Sequence, residues 1–324
     1  MKASRWVSVQ ALVLAAALPV VPALPARAED DSGVLVLTSL PATYSIASAL
    51  AQGTRIQVAN VPEAGRPMNA LDRYLEKPGE DDTALLRRAD AVVTIGKLWR
   101  EDPLYTAARA YNIRVVNIDA TEPYSRTMPG IALTREPGGQ APWQKAGTGG
   151  AAGAVAQADG ASLHFWLGPS NGARSAEIVA HDLARLSPAD AERIGRNLAD
   201  YRGRLLQLKQ SYEAKLAELE NVTVFALSGD FAYLTTDLGL FVEGYFIRQD
   251  IEWTPADLEA FRKHLMARDI RVVIHEWEPS EAIRQAITAA GAKLVVLRSG
   301  ETFKPGYLAD MEANLEALYS TLKP

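Results

Sequence analysis

Ile194, Leu198, Tyr201, Leu205, Leu208, Tyr212, Leu216 and Leu219 succeed one another at spacings of three or four residues. That period marks one face of an α-helix. The run Ser187-Pro188-Ala189-Asp190 supplies a capping hydroxyl, a proline at the first helical position and a first-turn acid, so the helix is expected over residues 188–219. At 1.5 Å per residue it is about 45 Å long, more than one small domain needs. Its expected role is to span two lobes. An ordinary surface helix and a coiled-coil dimer seam share the same periodicity and stay open at this level.

On both sides of this helix, short β-branched runs alternate with helical patterns, which points to βα units and a largely parallel sheet. The early runs are Val34-Leu35-Val36-Leu37, Ile56-Gln57-Val58, Ala91-Val92-Val93-Thr94-Ile95 and Arg114-Val115-Val116-Asn117-Ile118. The late ones are Val222-Thr223-Val224-Phe225, Arg271-Val272-Val273-Ile274 and Lys293-Leu294-Val295-Val296-Leu297. Thr254-Pro255-Ala256-Asp257 opens a further helix, and Gly291 suits a helix end. The expected fold class is therefore α/β: two lobes of mostly parallel sheet with flanking helices, joined by one long rigid helix. The first lobe is expected over residues 29–187 and the second over 220–324. Residues 128–161 are rich in Gly, Ala, Pro and Gln, uncharged between Ala146 and Ala158, and without histidine. They read as a mobile loop with no metal-scavenging role.

The amino-terminal end sets the expected compartment. Lys2 and Arg5 precede an apolar run from Trp6 to Leu24 that closes on Ala26-Arg27-Ala28, the pattern of a secretory signal peptide over residues 1–28. Gln10, Pro19, Pro22 and Pro25 interrupt the run, which argues against a spanning anchor. The chain has no cysteine, which removes lipid attachment through a thiol, disulfides and thiolate metal sites. The expectation is a soluble periplasmic protein without a membrane anchor after cleavage. The formal charge of −5 becomes −8 once Lys2, Arg5 and Arg27 leave with the signal, so nucleic acid is not an expected partner.

Several landmarks in order resemble the TroA-like family of periplasmic metal-binding proteins. They are Val36-Leu37-Thr38-Ser39-Leu40-Pro41, Leu85-Leu86-Arg87-Arg88-Ala89-Asp90-Ala91-Val92-Val93, the motif His164-Phe165-Trp166-Leu167-Gly168-Pro169, and the long helix. The resemblance covers nearly the whole mature chain. It implies the solute-binding component of an ABC importer, with no chemistry of its own and an inner-membrane ABC permease as partner. The implied cargo is zinc, manganese or a metal complex.

The family's four ligands map unevenly onto this chain. The first histidine falls at Met68, behind Pro67; the second matches His164; the third falls at Ser228; the fourth falls at or beside Arg298. A thioether and a serine hydroxyl are poor donors to zinc or manganese, and a guanidinium repels the ion. Asp230, and Glu276 with Glu278, are candidates to rebuild the site. Copper(I) enters as an alternative cargo if Met68 ligates, because histidine and methionine suit that softer ion. In an extended segment Glu276 and Glu278 share one face and His275 the other, which favours a structural His275. Asp230 with Tyr233, and Tyr245 with Arg248, are candidates to line a cleft.

Other functions compete. With Ser228 and Arg298 in a cleft the ligand becomes an anionic or organic molecule, and with no working site the chain is an accessory protein or adhesin. A hydrolase is disfavoured, because there is neither a Gly-x-Ser-x-Gly elbow nor a His-Glu-x-x-His motif.

Overall fold

Each β-branched run becomes a strand whose successive side chains go to opposite faces, and this alternation lays down the cores. The structure, a computed structural model, describes residues 33–143, 160–301 and 306–323. Val34–Pro324 form one compact unit. The expected signal segment, residues 1–28, lies outside the described residues.

The first lobe runs β1 (Val34–Thr38), α1 (Pro41–Ala51), β2 (Ile56–Asn60), α2 (Met68–Glu76), α3 (Glu80–Arg88), β3 (Ala91–Thr94), α4 (Leu104–Tyr111) and β4 (Val116–Asp119). Its strands lie in the order β2-β1-β3-β4, all parallel. Two long helices come next, α5 (Pro169–Leu186) and α6 (Ala191–Ala217). The second lobe runs β5 (Thr223–Ala226), α7 (Ala232–Asp237), β6 (Phe241–Tyr245), α8 (Pro255–Ala267), β7 (Val272–His275), α9 (Glu281–Ala289), β8 (Lys293–Val296) and α10 (Tyr307–Leu322). It repeats the pattern in the order β6-β5-β7-β8, again all parallel.

Parallel sheets are buried on both faces, and both faces are filled here. Leu35, Leu37 and Val92 form a core on the outer side of the first sheet, and Phe225 and Val273 do so on the second. Val36 and Val93 of the first sheet share a single apolar cluster with Val224, Val272 and Ile274 of the second. Leu183 of α5, Leu205 of α6 and Leu315 of α10 belong to that cluster too. The two lobes therefore have one continuous apolar core running through the long helices.

The 27 residues of α6 extend about 40 Å. Its predicted stripe is buried at Ile194, Tyr201, Leu205, Tyr212 and Leu216, so the apolar face is used within the chain and not as a dimer seam. Helix α5 carries no clear signal in the sequence, because its buried face is built largely of small residues, among them Gly172, Ala173, Ala176 and Ala180. They allow close packing: a Cβ at Gly172 would lie 2.1 Å from the Tyr307 hydroxyl. The start of α5 is fastened to α7, since the Ser170 N–H and hydroxyl both donate to Asp237 at 2.7 Å.

Strand β6 is likewise hard to find in the sequence. Glu243 and Gly244 dilute its β-branched character, and the glycine is required by packing, because a Cβ there would lie 2.5 Å from Pro142 Cγ. Pro142 belongs to the segment expected to be a mobile loop. Residues 144–159 of that segment lie outside the described residues, while residues 131–143 run from the first lobe onto the second. Trp143 packs against the outer core of the second lobe, beside Phe225, Phe246 and Phe261.

Candidate functional site

His164 is held in place by the three residues after it. Phe165, Trp166 and Leu167 form one turn of 3-10 helix and all three are buried, which leaves the imidazole at the lobe boundary with only 15% of its side chain exposed. Its two nitrogens face different carboxylates. Nδ1 lies 3.4 Å from Asp230 Oδ1 and Nε2 lies 3.2 Å from Glu301 Oε1.

The carboxylates come from one edge of the second sheet. Asp230 lies beyond β5, Glu276 directly after β7 and Glu301 beyond β8. In open parallel sheets the carboxyl ends of the strands are where ligands bind, because the connecting loops converge there. Ser228 serves Asp230 locally, its hydroxyl accepting from the Asp230 N–H at 3.2 Å. The Glu301 loop is fixed through Trp166, which donates its indole N–H to the Ser299 carbonyl at 2.8 Å. Gly300 permits that approach with φ of 74°.

The electrostatics arise from crowding acids around one imidazole. Burial alone pushes the His164 pKa down, but its hydrogen bond to Glu301 and the charges of Asp230, Glu301 and Glu276 raise it to about 9. Burial, the Asp230 charge and a hydrogen bond with Asp230 hold Glu276 well above the usual carboxylate range, and Glu301 adds to this. At neutral pH the crevice accordingly keeps a proton on His164 and another on Glu276. Among the described residues no group of three such side chains is already spread to metal-holding spacing. The donors are bonded to one another through protons, which a cation has to displace.

Glu136 is a further acid near this crevice, carried on residues 131–143. Burial raises its pKa, offset by the Ser162 hydroxyl, and it senses the charges of Asp230 and His164. A Cβ on Gly229, the residue before Asp230, would lie 2.7 Å from Glu136 Oε1.

The structure thus brings together His164, Asp230 and Glu276, all offered by the sequence, and adds Glu301 and Glu136. Met68, at the start of α2, is 8% exposed and packs in the shared apolar cluster. Arg298 pairs with Asp310, Nη1 to Oδ1 at 2.8 Å. Tyr233 is buried, and Arg248 lies over the Phe246 ring. His275 is 2% exposed and stacks on Trp277 with ring centroids 4.2 Å apart, while Glu278 pairs with Arg284 at 3.1 Å. Glu301 lies three residues beyond the position the family pattern marks at Arg298, and an acid that close to the end of β8 was the available signal. Glu136 carried no local signal.

Comparisons with known proteins bear on the family and the fold of the chain. A family model described as zinc-uptake complex component A periplasmic (ZnuA) matches residues 36–321. The zinc-binding protein AdcA of Streptococcus pyogenes is 26% identical over 169 residues, covering 49% of this chain and 32% of that protein. The chain thus spans about a third of the length of the curated relatives it matches. Among solved structures, an FpvC mutant from Pseudomonas aeruginosa superposes with a TM-score of 0.70 at 21% identity, covering 90% of this chain and 99% of the other. The Zn(II)-bound ZnuA-like domain of Streptococcus pneumoniae AdcA superposes with a TM-score of 0.67 at 21% identity, covering 90% and 100%. Both show the same fold.

Proposed function

The chain belongs to the ZnuA family of periplasmic zinc-uptake components, and on that premise we propose that it captures a divalent transition metal at the His164 crevice and passes it to an inner-membrane ABC permease. The observation that carries this reading is the His164 imidazole bracketed by Asp230 and Glu301. Zinc and manganese take nitrogen and carboxylate oxygen ligands at about 2.0–2.2 Å, and a small inward movement of these groups, once deprotonated, suits either ion. Four acids around one histidine disfavour an anionic cargo. Met68 packs in the apolar cluster, and the donors that bracket His164 are carboxylates, which suit zinc or manganese better than copper(I).

The carrier reading extends to place and partner. Among the described residues no helix is long and apolar enough to cross a membrane. The signal-like residues 1–28 and the family support export to the periplasm and delivery to a membrane-embedded permease. The protein in this role binds and releases its cargo without transforming it.

Isothermal titration of the metal-stripped mature protein with Zn2+ and Mn2+ tests the assignment. Wild type is expected to bind at least one ion at one site, and His164→Ala is expected to weaken it by about 100-fold or more. Failure of wild type to bind either ion removes the cargo assignment and leaves the fold.

A further inference from the structure

The metal-binding reading of the crevice uses His164 and the acids of the second lobe, but does not account for a segment of the first lobe laid across that lobe beside them. Residues 131–143 begin on the first lobe, where the Asn171 side chain brackets Ala132, accepting from its N–H at 3.0 Å and donating to its carbonyl at 2.9 Å. The segment then pairs with residues 160–162: the Glu136 N–H donates to the Gly160 carbonyl at 2.7 Å and the Ser162 N–H to the Thr134 carbonyl at 2.8 Å. That pairing joins the segment to the residues leading into His164.

Its far end is keyed into the second lobe. Trp143 lies in an aromatic box, 5.9 Å from Phe225, 5.4 Å from Phe246 and 5.4 Å from His264 between ring centroids. Three glycines make room along the way. A Cβ would lie 2.5 Å from Pro142 Cγ if placed on Gly244, 3.3 Å from the Ile247 carbonyl if placed on Gly139, and 2.7 Å from Glu136 Oε1 if placed on Gly229. Contact of this closeness at three glycines, ending in a packed tryptophan, describes a seated strap and not a loose loop.

We propose that Glu136 is a further, specificity-determining donor of the metal crevice, carried by the strap of residues 131–143 and set in place by the missing side chain at Gly229. The proposal rests on the metal-binding reading of the His164 crevice. It adds an oxygen donor from the first lobe to the three acids of the second, giving one nitrogen and up to four carboxylate sources around the cargo. Zinc in protein sites is satisfied by four tetrahedral ligands, whereas carboxylate-rich sets of higher coordination suit manganese. The strap therefore biases the crevice towards Mn2+ by completing a shell that Zn2+ does not need.

The test is the Mn2+/Zn2+ affinity ratio, measured by isothermal titration of metal-stripped full-length mature protein. Glu136→Gln is expected to weaken Mn2+ binding about tenfold or more while changing Zn2+ binding less than about threefold. Gly229→Ala provides an independent route. Its new methyl displaces the flexible end of Glu136 and leaves the fold intact, which thermal unfolding checks. It is expected to reproduce the shift, and the double variant is expected to be no worse than either single one. If wild type binds both ions and Glu136→Gln leaves the ratio unchanged, the strap proposal fails and the crevice stands. If wild type binds neither, or if His164→Ala binds as wild type does, the crevice reading fails and takes the strap proposal with it.

Discussion

Trp166 donates its indole N–H to the carbonyl of Ser299 at 2.8 Å. Trp166 stands two residues after His164 and Ser299 two residues before Glu301, so this hydrogen bond sets the separation of the imidazole and carboxylate that face each other at 3.2 Å. Trp166→Phe removes the donor, keeps most of the buried ring and frees the Glu301 loop. The expected cost is about 1 kcal/mol in thermal or denaturant unfolding, with a roughly tenfold loss of Zn2+ affinity in titration, as for groups that orient metal ligands. Gly300→Ala disturbs the same contact from the other side, since its Cβ would lie 3.0 Å from Trp166 Nε1 at a φ of 74°. Unchanged metal affinity in both variants would show that Glu301 needs no such support.

Metal binding is expected to release protons. The pKa of about 9 for His164 means that its imidazole is charged at pH 7, and a metal takes only the neutral form. Glu276, held well above the usual carboxylate range by burial and by Asp230, keeps another proton. Affinity should therefore rise with pH up to about 9, by about tenfold per unit for each proton displaced, and level off above that. Titration at pH 7 in buffers of different ionisation enthalpy should give between about one and two protons released per ion. Enthalpies that do not depend on the buffer would contradict this protonation scheme.

Much of the fold was legible because periodicity is a local property. The 3-4 spacing from Ile194 to Leu219 marks α6, and the β-branched runs mark the strands that fill the sheets from both faces. Helix α5 and strand β6 escaped for a physical reason. Gly172, Ala173 and Ala176 in α5, and Gly244 in β6, are small because neighbours approach closely there, and small residues weaken the apolar signal. In the site, the motif around His164 and the acid after β5 were readable. Glu301 offered only its nearness to the end of β8 and Glu136 offered nothing, because their arrival depends on how the Trp166 contact and the strap fold loops from distant parts of the chain onto one point.

Acid stability should depend on His275, which is 2% exposed. Burial depresses its pKa to about 4, so the unfolded chain binds a proton below about pH 6.5 that the folded chain refuses. Stability from this residue is complete above about pH 6.5 and is lost as pH falls towards 4, to a maximum on the order of 3 kcal/mol. Asp102 acts in the opposite sense. Its burial raises the pKa to about 6, so it takes up a proton on folding, and stability from it grows as pH falls from 6 to about 4. The two partly cancel in wild type. The difference between wild type and His275→Phe isolates the histidine, and denaturant unfolding at pH 7, 5.5 and 4.5 should show the variant losing less stability. Parallel curves would place the acid sensitivity elsewhere.

Arg298 is expected to matter for the fold and not for the cargo. Its guanidinium, 54% exposed, meets the Asp310 carboxylate, 4% exposed, at 2.8 Å, and its backbone N–H and carbonyl are both held by the Asn314 side chain at 2.8 Å. These contacts fasten the end of β8 to α10, and Oδ2 of Asp310 already has no hydrogen-bond partner. Arg298→Ala would leave the buried carboxylate uncompensated. Removal of one partner from a fully buried pair costs about 3–5 kcal/mol, and the half-exposed arginine reduces that to about 2 kcal/mol. Asp310→Asn in the same chain should recover part of the loss, because an amide in that position needs no counter-charge. Zn2+ and Mn2+ affinities in the folded variant should stay within about twofold of wild type, the scale of an uncoupled distant site. A large loss of affinity at unchanged stability would instead place the guanidinium in the binding crevice, as the family pattern alone suggests.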